Sequence, residues 1–121
     1  MRSLGPLESE VMSLLWEADE ALTVRQVLDN LRDRDLAYTT VATVLENLYR
    51  KGWVTRRRLG RVWHYRARIA SSDHAASVMR EALAASKSPR ATFLKFVDQI
   101  SDEEAAMLRE LLDEATRREE R

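Results

Sequence analysis

The sequence predicts a mainly α fold with one small β-hairpin, and two adjoining stretches of the chain carry that prediction. In residues 38–52, apolar side chains recur at helical spacing and hydroxyl groups cluster at the amino-terminal end. Residues 54–67 then take a strand pattern on both sides of Gly60-Arg61, a dipeptide that suits a two-residue hairpin turn. A helix with a polar start, followed by a basic hairpin, is typical of a winged helix-turn-helix.

Three short helices are predicted ahead of the hairpin. The first begins near Pro6, because proline is favoured in the first turn of a helix. The second begins at Thr23, which forms a capping box with Gln26 three residues later. The third covers about residues 39–51, and Gly52 is placed to end it in a left-handed turn. One apolar stripe on each helix indicates a closed three-helix core.

A two-residue turn also determines which side chains of the hairpin face each other. The expected cross-strand pairs are Val54–Ala67, Thr55–Arg66, Arg56–Tyr65, Arg57–His64, Arg58–Trp63 and Leu59–Val62. We expect Trp63 and Tyr65 to pack on the helices, with the arginine stems of the same face over their rings. The face that carries Arg57, His64 and Arg66 is then free to meet phosphate. A loop one residue longer would exchange the two faces.

Residues 71–121 are predicted to form three further amphipathic helices. We therefore divide the chain into a winged-helix DNA-binding domain, residues 1–70, and a helical dimerisation domain, residues 71–121. A unit of about 50 residues buries too little apolar surface to be stable alone. Its stripes pack either on a second copy, which the closed core of the first domain favours, or within a larger monomeric domain. The candidate dimerisation residues are Val78, Leu83, Phe93, Phe96, Val97, Met107, Leu108, Leu111 and Leu112.

The net charge is zero, with 20 basic and 20 acidic residues, but the charges are unevenly distributed. Between Arg50 and Arg68 there are 8 basic residues and no acidic one. Such a block creates a local positive potential of the kind that attracts nucleic acid. The alternative is an ordinary solvated surface, but the position of the block, directly after a candidate recognition helix, favours DNA.

Residues early in the third helix are expected to reach base edges in the DNA major groove. Threonine and asparagine side chains can hydrogen-bond bases, and a threonine methyl can contact a thymine methyl. The first two turns contain no arginine or lysine, so we expect specificity from these contacts and from DNA shape. The alternative role for the threonines is capping of the helix. The candidate DNA-binding residues are Arg25, Tyr38, Thr39, Thr40, Thr43, Asn47, Arg50, Arg57 and Arg61, with Glu46 also facing outward and Lys51 a further phosphate candidate.

The sequence gives little support for an enzyme, a cofactor or a metal site. It has no cysteine and only 3 glycines, which leaves no thiol nucleophile and no glycine-rich phosphate loop. The two histidines, His64 and His74, fall in different elements and lack zinc-ligand spacing. The sequence contains no apolar run long enough to predict a membrane-spanning segment or a signal peptide, so we expect a cytoplasmic protein.

Several segments together resemble the penicillinase-repressor (BlaI/MecI) family of winged-helix transcriptional regulators. They are LGPLESEVMSLLWE at residues 4–17, TVRQVLDNL at 23–31, AYTTVATVLENLYRKGWV at 37–54, the HYRA that ends the hairpin, and ISDEEAAMLRELLDE at 100–114. Each segment is weakly specific by itself, but their combination in this order covers nearly the whole chain.

The resemblance implies a homodimeric transcriptional repressor that binds palindromic operators ahead of β-lactam-resistance genes and often ahead of its own gene. The family's third helix and wing contact DNA, which corresponds here to Thr39, Thr40, Thr43, Asn47 and Arg61, and its carboxyl-terminal helices dimerise. Known members are induced downstream of a membrane sensor-protease in a β-lactam-sensing pathway, by cleavage of an Asn-Phe bond in the dimerisation domain. The matching bond here is Lys95-Phe96, where lysine stands in place of asparagine.

Two other functions remain as alternatives to a DNA-binding repressor of this kind. One is a winged-helix regulator that binds a small effector between its helices and then releases DNA. The other is a winged helix that serves only as a protein-interaction module, which would have a partner but no affinity for DNA.

Overall fold

The computed structural model describes residues 4–33 and 35–120 and confirms a mainly α fold with one hairpin. In chain order the elements are α1 (Pro6–Glu17), α2 (Val24–Asn30), α3 (Tyr38–Arg50), β1 (Val54–Leu59), β2 (Val62–Ala67), α4 (Ser71–Ala85), α5 (Pro89–Gln99) and α6 (Asp102–Glu119). They form two compact units, Met1–Val78 and Met79–Arg121, which divide within α4.

The core of the first unit is built from one apolar stripe on each of α1, α2 and α3, closed by the base of the hairpin. Its buried side chains are Val11, Met12, Leu15, Val24, Val27, Leu31, Val41, Leu45, Leu48, Trp53, Val54 and Tyr65. Trp53 is the largest fully buried side chain and lies between α3 and β1, where the chain changes from helix to strand. The predicted three-helix core is therefore confirmed, and it holds α3 and the hairpin in fixed positions.

The ends of α2 and α3 follow from local sequence. Thr23 caps α2 through a 3.1 Å hydrogen bond from the Gln26 backbone N–H, as predicted. The helix α3 begins one residue earlier than predicted, with Ala37 at its cap position and no capping side chain. The alternative that Thr39 caps this helix is therefore wrong, since Thr39 lies inside the first turn.

Gly52 ends α3 in the left-handed conformation, as predicted, with φ at 83°. The Gly52 N–H donates to the Tyr49 carbonyl at 3.1 Å, and the Trp53 N–H donates to the Leu48 carbonyl at 2.9 Å. These two bonds satisfy carbonyls that the end of a helix leaves open, in the pattern of a Schellman motif. The motif turns the chain directly into β1.

The hairpin has the predicted register at all six cross-strand pairs. Gly60 has a φ of 64° and Arg61 does not have a positive φ, which fits a type II′ turn and excludes type I′. One pairing was not predicted: Leu22, ahead of α2, forms an antiparallel bridge with Tyr65, with both hydrogen bonds at 2.8 Å. This bridge fixes β2 against the helices from its other edge.

The start of α4 is attached to the first unit by aromatic contacts. The His74 ring stacks on Trp16, with ring centroids 5.6 Å apart, and meets the edge of Trp53 at 5.1 Å. Trp16 also donates a 2.7 Å hydrogen bond from Nε1 to the Ile69 carbonyl. The compact units divide after Val78, so the start of α4 belongs to the first of them. The division into two functional domains at residue 70 stays a prediction.

In the second unit, α5 and α6 begin at serine caps. Ser88 Oγ accepts a 3.2 Å hydrogen bond from the Ala91 N–H, and Ser101 forms a capping box with Glu104. No residue described in α4, α5 or α6 is buried within the single chain. Folding of one copy therefore leaves the apolar stripes of these helices in contact with solvent.

Candidate nucleic-acid interface

The outward face of α3 presents the predicted polar side chains to solvent. We call Thr39, Thr40, Thr43 and Asn47 the recognition face; all four are exposed and recur at helical spacing on one side of α3. Their side chains form no hydrogen bond with any residue that the structure describes, which leaves each donor and acceptor open to a ligand. The opposite side of the helix is buried in the core, so this face has a rigid support.

Arg25 and Tyr38 come together next to the amino-terminal end of α3. The Arg25 guanidinium carbon lies 5.5 Å from the centre of the Tyr38 ring, a cation–π geometry. Arg25 also lies 4.0 Å from Asp29, but both side chains are more than 60% exposed, so this ion pair contributes little. The two predicted site residues therefore form one cluster beside the recognition face.

The wing, Val54–Ala67, is fastened to α3 through the side chain of Arg56. Its guanidinium carbon lies 4.0 Å from the centre of the Tyr49 ring and 4.3 Å from that of Trp63, and its Nη1 donates a hydrogen bond to a carboxylate oxygen of Glu46. The guanidinium of Arg58 lies 4.8 Å from the Trp63 ring on the same face. The prediction that arginine stems lie over the aromatic face of the hairpin is confirmed. Sequence reasoning missed the contact with Glu46, which joins the helix to the wing.

Two charged residues that were expected to face DNA form ion pairs within the fold. Glu46 accepts from Arg56 and also lies 3.5 Å from Arg50, so its carboxylate is directed to the wing and not to bases. Lys51 Nζ lies 2.9 Å from both carboxylate oxygens of Glu8 in α1. The expectation that Lys51 meets phosphate is therefore corrected, because its ammonium is engaged in an ion pair that ties α3 to α1.

Glu8 is largely buried at this contact, and its carboxylate also accepts a 3.0 Å hydrogen bond from the Gly5 N–H. Burial by itself would raise the pKa of Glu8. The hydrogen bond from Gly5 and the ion pair with Lys51 outweigh burial, and they leave the pKa of Glu8 below its ordinary value. The carboxylate is therefore charged throughout the neutral range and holds the end of α3 in place.

Several arginines of the wing have no acidic partner. Within residues 4–33 and 35–120, no ion pair is formed by Arg57, Arg58, Arg61 or Arg66, and all four are exposed. Arg61 lies at the tip of the hairpin, and Arg57 is exposed on the hairpin face opposite the one that carries Trp63 and Tyr65. Their charges are uncompensated locally, so the wing carries a positive potential although the whole chain is neutral.

The structure thus combines an exposed helix face rich in hydroxyls with a basic hairpin fixed beside it. A side-chain amide and hydroxyls on a helix can hydrogen-bond base edges, and free guanidinium groups on a neighbouring hairpin can neutralise phosphates. This combination on this fold defines a winged-helix protein of the DNA-binding class.

Comparison with known proteins agrees with that class. The penicillinase repressor family model matches residues 4–114. The transcriptional regulator BlaI of Mycobacterium tuberculosis is 41% identical over 115 residues, which cover 92% of this chain and 83% of that protein. The solution structure of the DNA-binding domain of the repressor BlaI is 27% identical, with a TM-score of 0.51, over 60% of this chain and 93% of that domain. The structure of the hsRosR-S4 complex, with 20% identity, shares the fold, with a TM-score of 0.55 over 88% of this chain and 94% of that one.

The chain belongs to the penicillinase repressor family. Its relatives in these comparisons are transcriptional regulators and not enzymes, and the protein is a transcriptional regulator with a winged-helix DNA-binding fold. Within the part of the chain that the structure covers, no helix is both long and apolar enough to span a membrane.

Proposed function

We propose that this protein is a homodimeric repressor that places α3 of each copy in the major groove of one half of a palindromic operator. One observation carries the proposal: the recognition face is exposed and unused, and it lies on the helix to which Arg56 fastens the basic wing. Base-edge contacts and phosphate contacts are thereby held in one rigid unit, which specific binding requires.

The proposed contacts divide into two groups. The recognition face meets base edges, since hydroxyl and amide groups can donate to and accept from bases in the major groove. The second group holds phosphates or enters the minor groove, and its members are Arg25, Tyr38, Arg50, Arg57 and Arg61. Arg50 remains 72% exposed in its pairing with Glu46, so that pairing does not prevent a phosphate contact.

The second unit supports dimerisation because a single copy leaves its large apolar side chains in water. Phe93, Val97, Met107, Leu111 and Leu112 are each at least half exposed, and Phe96 and Leu108 are 41% and 37% exposed. An apolar surface of this kind on α5 and α6 is stabilised when it packs on the same surface of a second copy. Of the nine predicted dimerisation residues, Leu83 alone is half-buried within one chain; the others, Val78 included, are exposed.

The target genes and the route of induction are proposed from the family. We assign the repressor to β-lactam-resistance genes and to its own gene, in the cytoplasm where that DNA lies. The family's cleavage position falls on Lys95-Phe96, a bond inside α5 whose two side chains are exposed. A protease of a β-lactam-sensing pathway would have to unwind α5 locally to reach this bond, and cutting there would divide the apolar surface proposed for the dimer.

The test is a selection of bound duplexes from fragmented genomic DNA by the purified full chain, at about physiological salt. The expected result is a palindrome with half-sites about one helical turn apart or a multiple of it, enriched ahead of resistance genes and its own gene. Affinity should fall steeply with salt, because phosphate contacts release counterions. Absence of any enriched sequence, or binding that is insensitive to salt, would contradict the proposal.

Sedimentation of the same sample tests the dimer independently of DNA. The wild-type chain should sediment as a dimer, and Leu111→Asp, which puts a charge in the middle of the apolar surface, should sediment as a monomer. The matched control is Glu110→Gln on the adjoining exposed position, which should leave the dimer intact. A wild-type chain that sediments as a monomer would leave the exposed apolar surface without the proposed partner and reject this part of the proposal.

A further inference from the structure

A cavity of about 740 Å³ opens between the wing and the start of α2, on the hairpin face that points away from the aromatic side chains. It lies entirely within the first unit. Its lining includes Glu20, Thr23, Gln26, Arg57, His64 and Arg66. No described residue of α3 lines it, so the cavity is separate from the recognition face.

Three nitrogen-bearing side chains converge on this cavity. Arg57 and His64 are direct cross-strand partners, and Arg66 follows His64 by two residues on the same face. Direct partners have Cβ atoms about 5 Å apart, and diagonal partners about 7 Å apart. Within the described chain, neither guanidinium forms an ion pair, and His64 Nδ1 is buried without a hydrogen-bond partner.

The arrangement of these three side chains has two unfavourable features. Two positive charges on one hairpin face repel each other, and a buried ring nitrogen without a partner loses its hydration. An oxyanion would offset the repulsion between the two charges, because guanidinium groups bind oxyanions in bidentate fashion. The cluster therefore fits an oxyanion better than a neutral ligand.

The remaining walls indicate an organic molecule with hydroxyl or amine groups. Gln26 Oε1 accepts from the Thr23 N–H, so the side-chain amide of Gln26 still has its donors available. Glu20 lies at the same cavity, and its carboxylate can accept from a ligand hydroxyl or amine. The volume is in the range of sites for small organic ligands and is larger than one inorganic phosphate needs.

We propose that this cavity binds a small organic oxyanion with at least two negative charges, an organic phosphate or a dicarboxylate, and that this ligand competes with DNA for Arg57. The competition rests on the proposed function, which assigns Arg57 to a DNA phosphate; binding in the cavity does not. The cavity also differs in place from the pocket between helices that the effector-binding alternative would use, because it is formed by the wing and the first turn of α2.

The first experiment measures anion binding without DNA. Inorganic pyrophosphate is titrated into the isotopically labelled full chain at constant ionic strength, with chloride as the replaced anion, and backbone amide shifts are followed. Saturable shifts confined to the hairpin and residues 20–26 are expected. Arg66→Gln should weaken the apparent affinity at least tenfold, and Arg66→Lys should recover part of the loss, since it keeps the charge.

The matched control is Arg109→Gln, which removes the same charge from an exposed position of α6 far along the chain. This variant should bind pyrophosphate as the wild type does. Shifts that do not saturate, or an equal loss in Arg109→Gln and Arg66→Gln, would show general charge screening and overturn the proposal.

The second experiment separates a free ligand from the DNA backbone, since both present oxyanions. Duplex binding is measured by fluorescence anisotropy with pyrophosphate or chloride at equal ionic strength. Pyrophosphate should weaken DNA binding of the wild type by a larger factor than that of Arg66→Gln. DNA binding together with no saturable pyrophosphate effect would assign the cavity to DNA phosphate, overturning this inference but not the proposed function. Pyrophosphate binding without any DNA binding would support the cavity site and reject the proposed function.

Discussion

The contact between Arg56 and Glu46 gives a quantitative prediction about how α3 and the wing are held together. A double-mutant cycle with Arg56→Met, Glu46→Gln and the combined variant measures the strength of this contact. Arg56→Met keeps the apolar stem against the rings, and Glu46→Gln keeps a carbonyl oxygen at nearly the same place. Arg56→Met also removes the cation–π contacts, and Glu46→Gln also weakens the exposed contact with Arg50. Each of these effects is present in a single variant and in the combined variant, so it cancels in the coupling energy.

The size of the expected coupling energy depends on how far the two side chains are buried. The Arg56 side chain is only 18% exposed and that of Glu46 36%, so solvent screens the pair less than it screens a surface ion pair. Exposed pairs contribute about 0.2–1 kcal/mol, and hydrogen bonds to charged groups about 1.5–3 kcal/mol. A half-buried, charge-assisted hydrogen bond lies between these ranges, and we expect a coupling energy of about 1–2 kcal/mol.

The four proteins are compared by urea unfolding at one protein concentration, because association contributes to the stability of a dimer. The control cycle is Arg25→Met with Asp29→Asn, an ion pair at 4.0 Å whose side chains are both more than 60% exposed; its coupling should stay below about 0.5 kcal/mol. A coupling energy near zero for Arg56 and Glu46, or equal coupling energies in the two cycles, would show that burial does not make this contact hold the wing.

Three further predictions concern the end of α3, the Glu8 carboxylate and the DNA contacts. Gly52→Ala should lower the free energy of unfolding by about 1–2 kcal/mol in urea titrations, because alanine is strained at a φ of 83°. Glu8→Gln should destabilise the protein at neutral pH. Since the folded pKa of Glu8 is lowered, the wild type keeps this contribution above pH 4.5 and loses it as the pH falls through the folded pKa, so the two proteins should converge in acid unfolding curves. Thr43→Ala should weaken binding to the selected operator more than to random duplex in anisotropy titrations, whereas Arg61→Ala should weaken both, because bases carry sequence and phosphates do not.

Each of these three predictions has a control or an outcome that would contradict it. Gly5→Ala is the control for Gly52→Ala, because Gly5 has a φ of −71° and an added Cβ would meet only an ordinary contact at 3.5 Å; equal destabilisation would contradict the argument from backbone strain. A constant stability difference between Glu8→Gln and the wild type from neutral to acid pH would contradict the lowered pKa. The same operator-to-random ratio for Thr43→Ala and Arg61→Ala would reject the division between base and phosphate contacts.

Features that depend on near neighbours in the chain were predictable. The caps at Thr23 and Ser101, the left-handed Gly52 and the hairpin register each arise from residues within a few positions of one another, or from a two-residue turn. Local hydrogen bonds and backbone sterics determine them wherever the segment lies. The exposed hydroxyls of α3 were predictable for the same reason, since helical spacing separates them from the apolar stripe.

The elements, the apolar faces and the polar start of α3 therefore follow from the amino-acid sequence alone, because they depend on periodicity and local chemistry. Which charges remain available to DNA depends instead on how the chain packs. With 20 basic and 20 acidic residues, many pairings have similar intrinsic energy. Packing brought Lys51 to Glu8, 43 residues away, and Arg56 to Glu46, and it left Arg57 and Arg66 without acidic partners among the described residues. An ion pair is selected by the distance and burial that the fold imposes, and neither is encoded within a short stretch of chain.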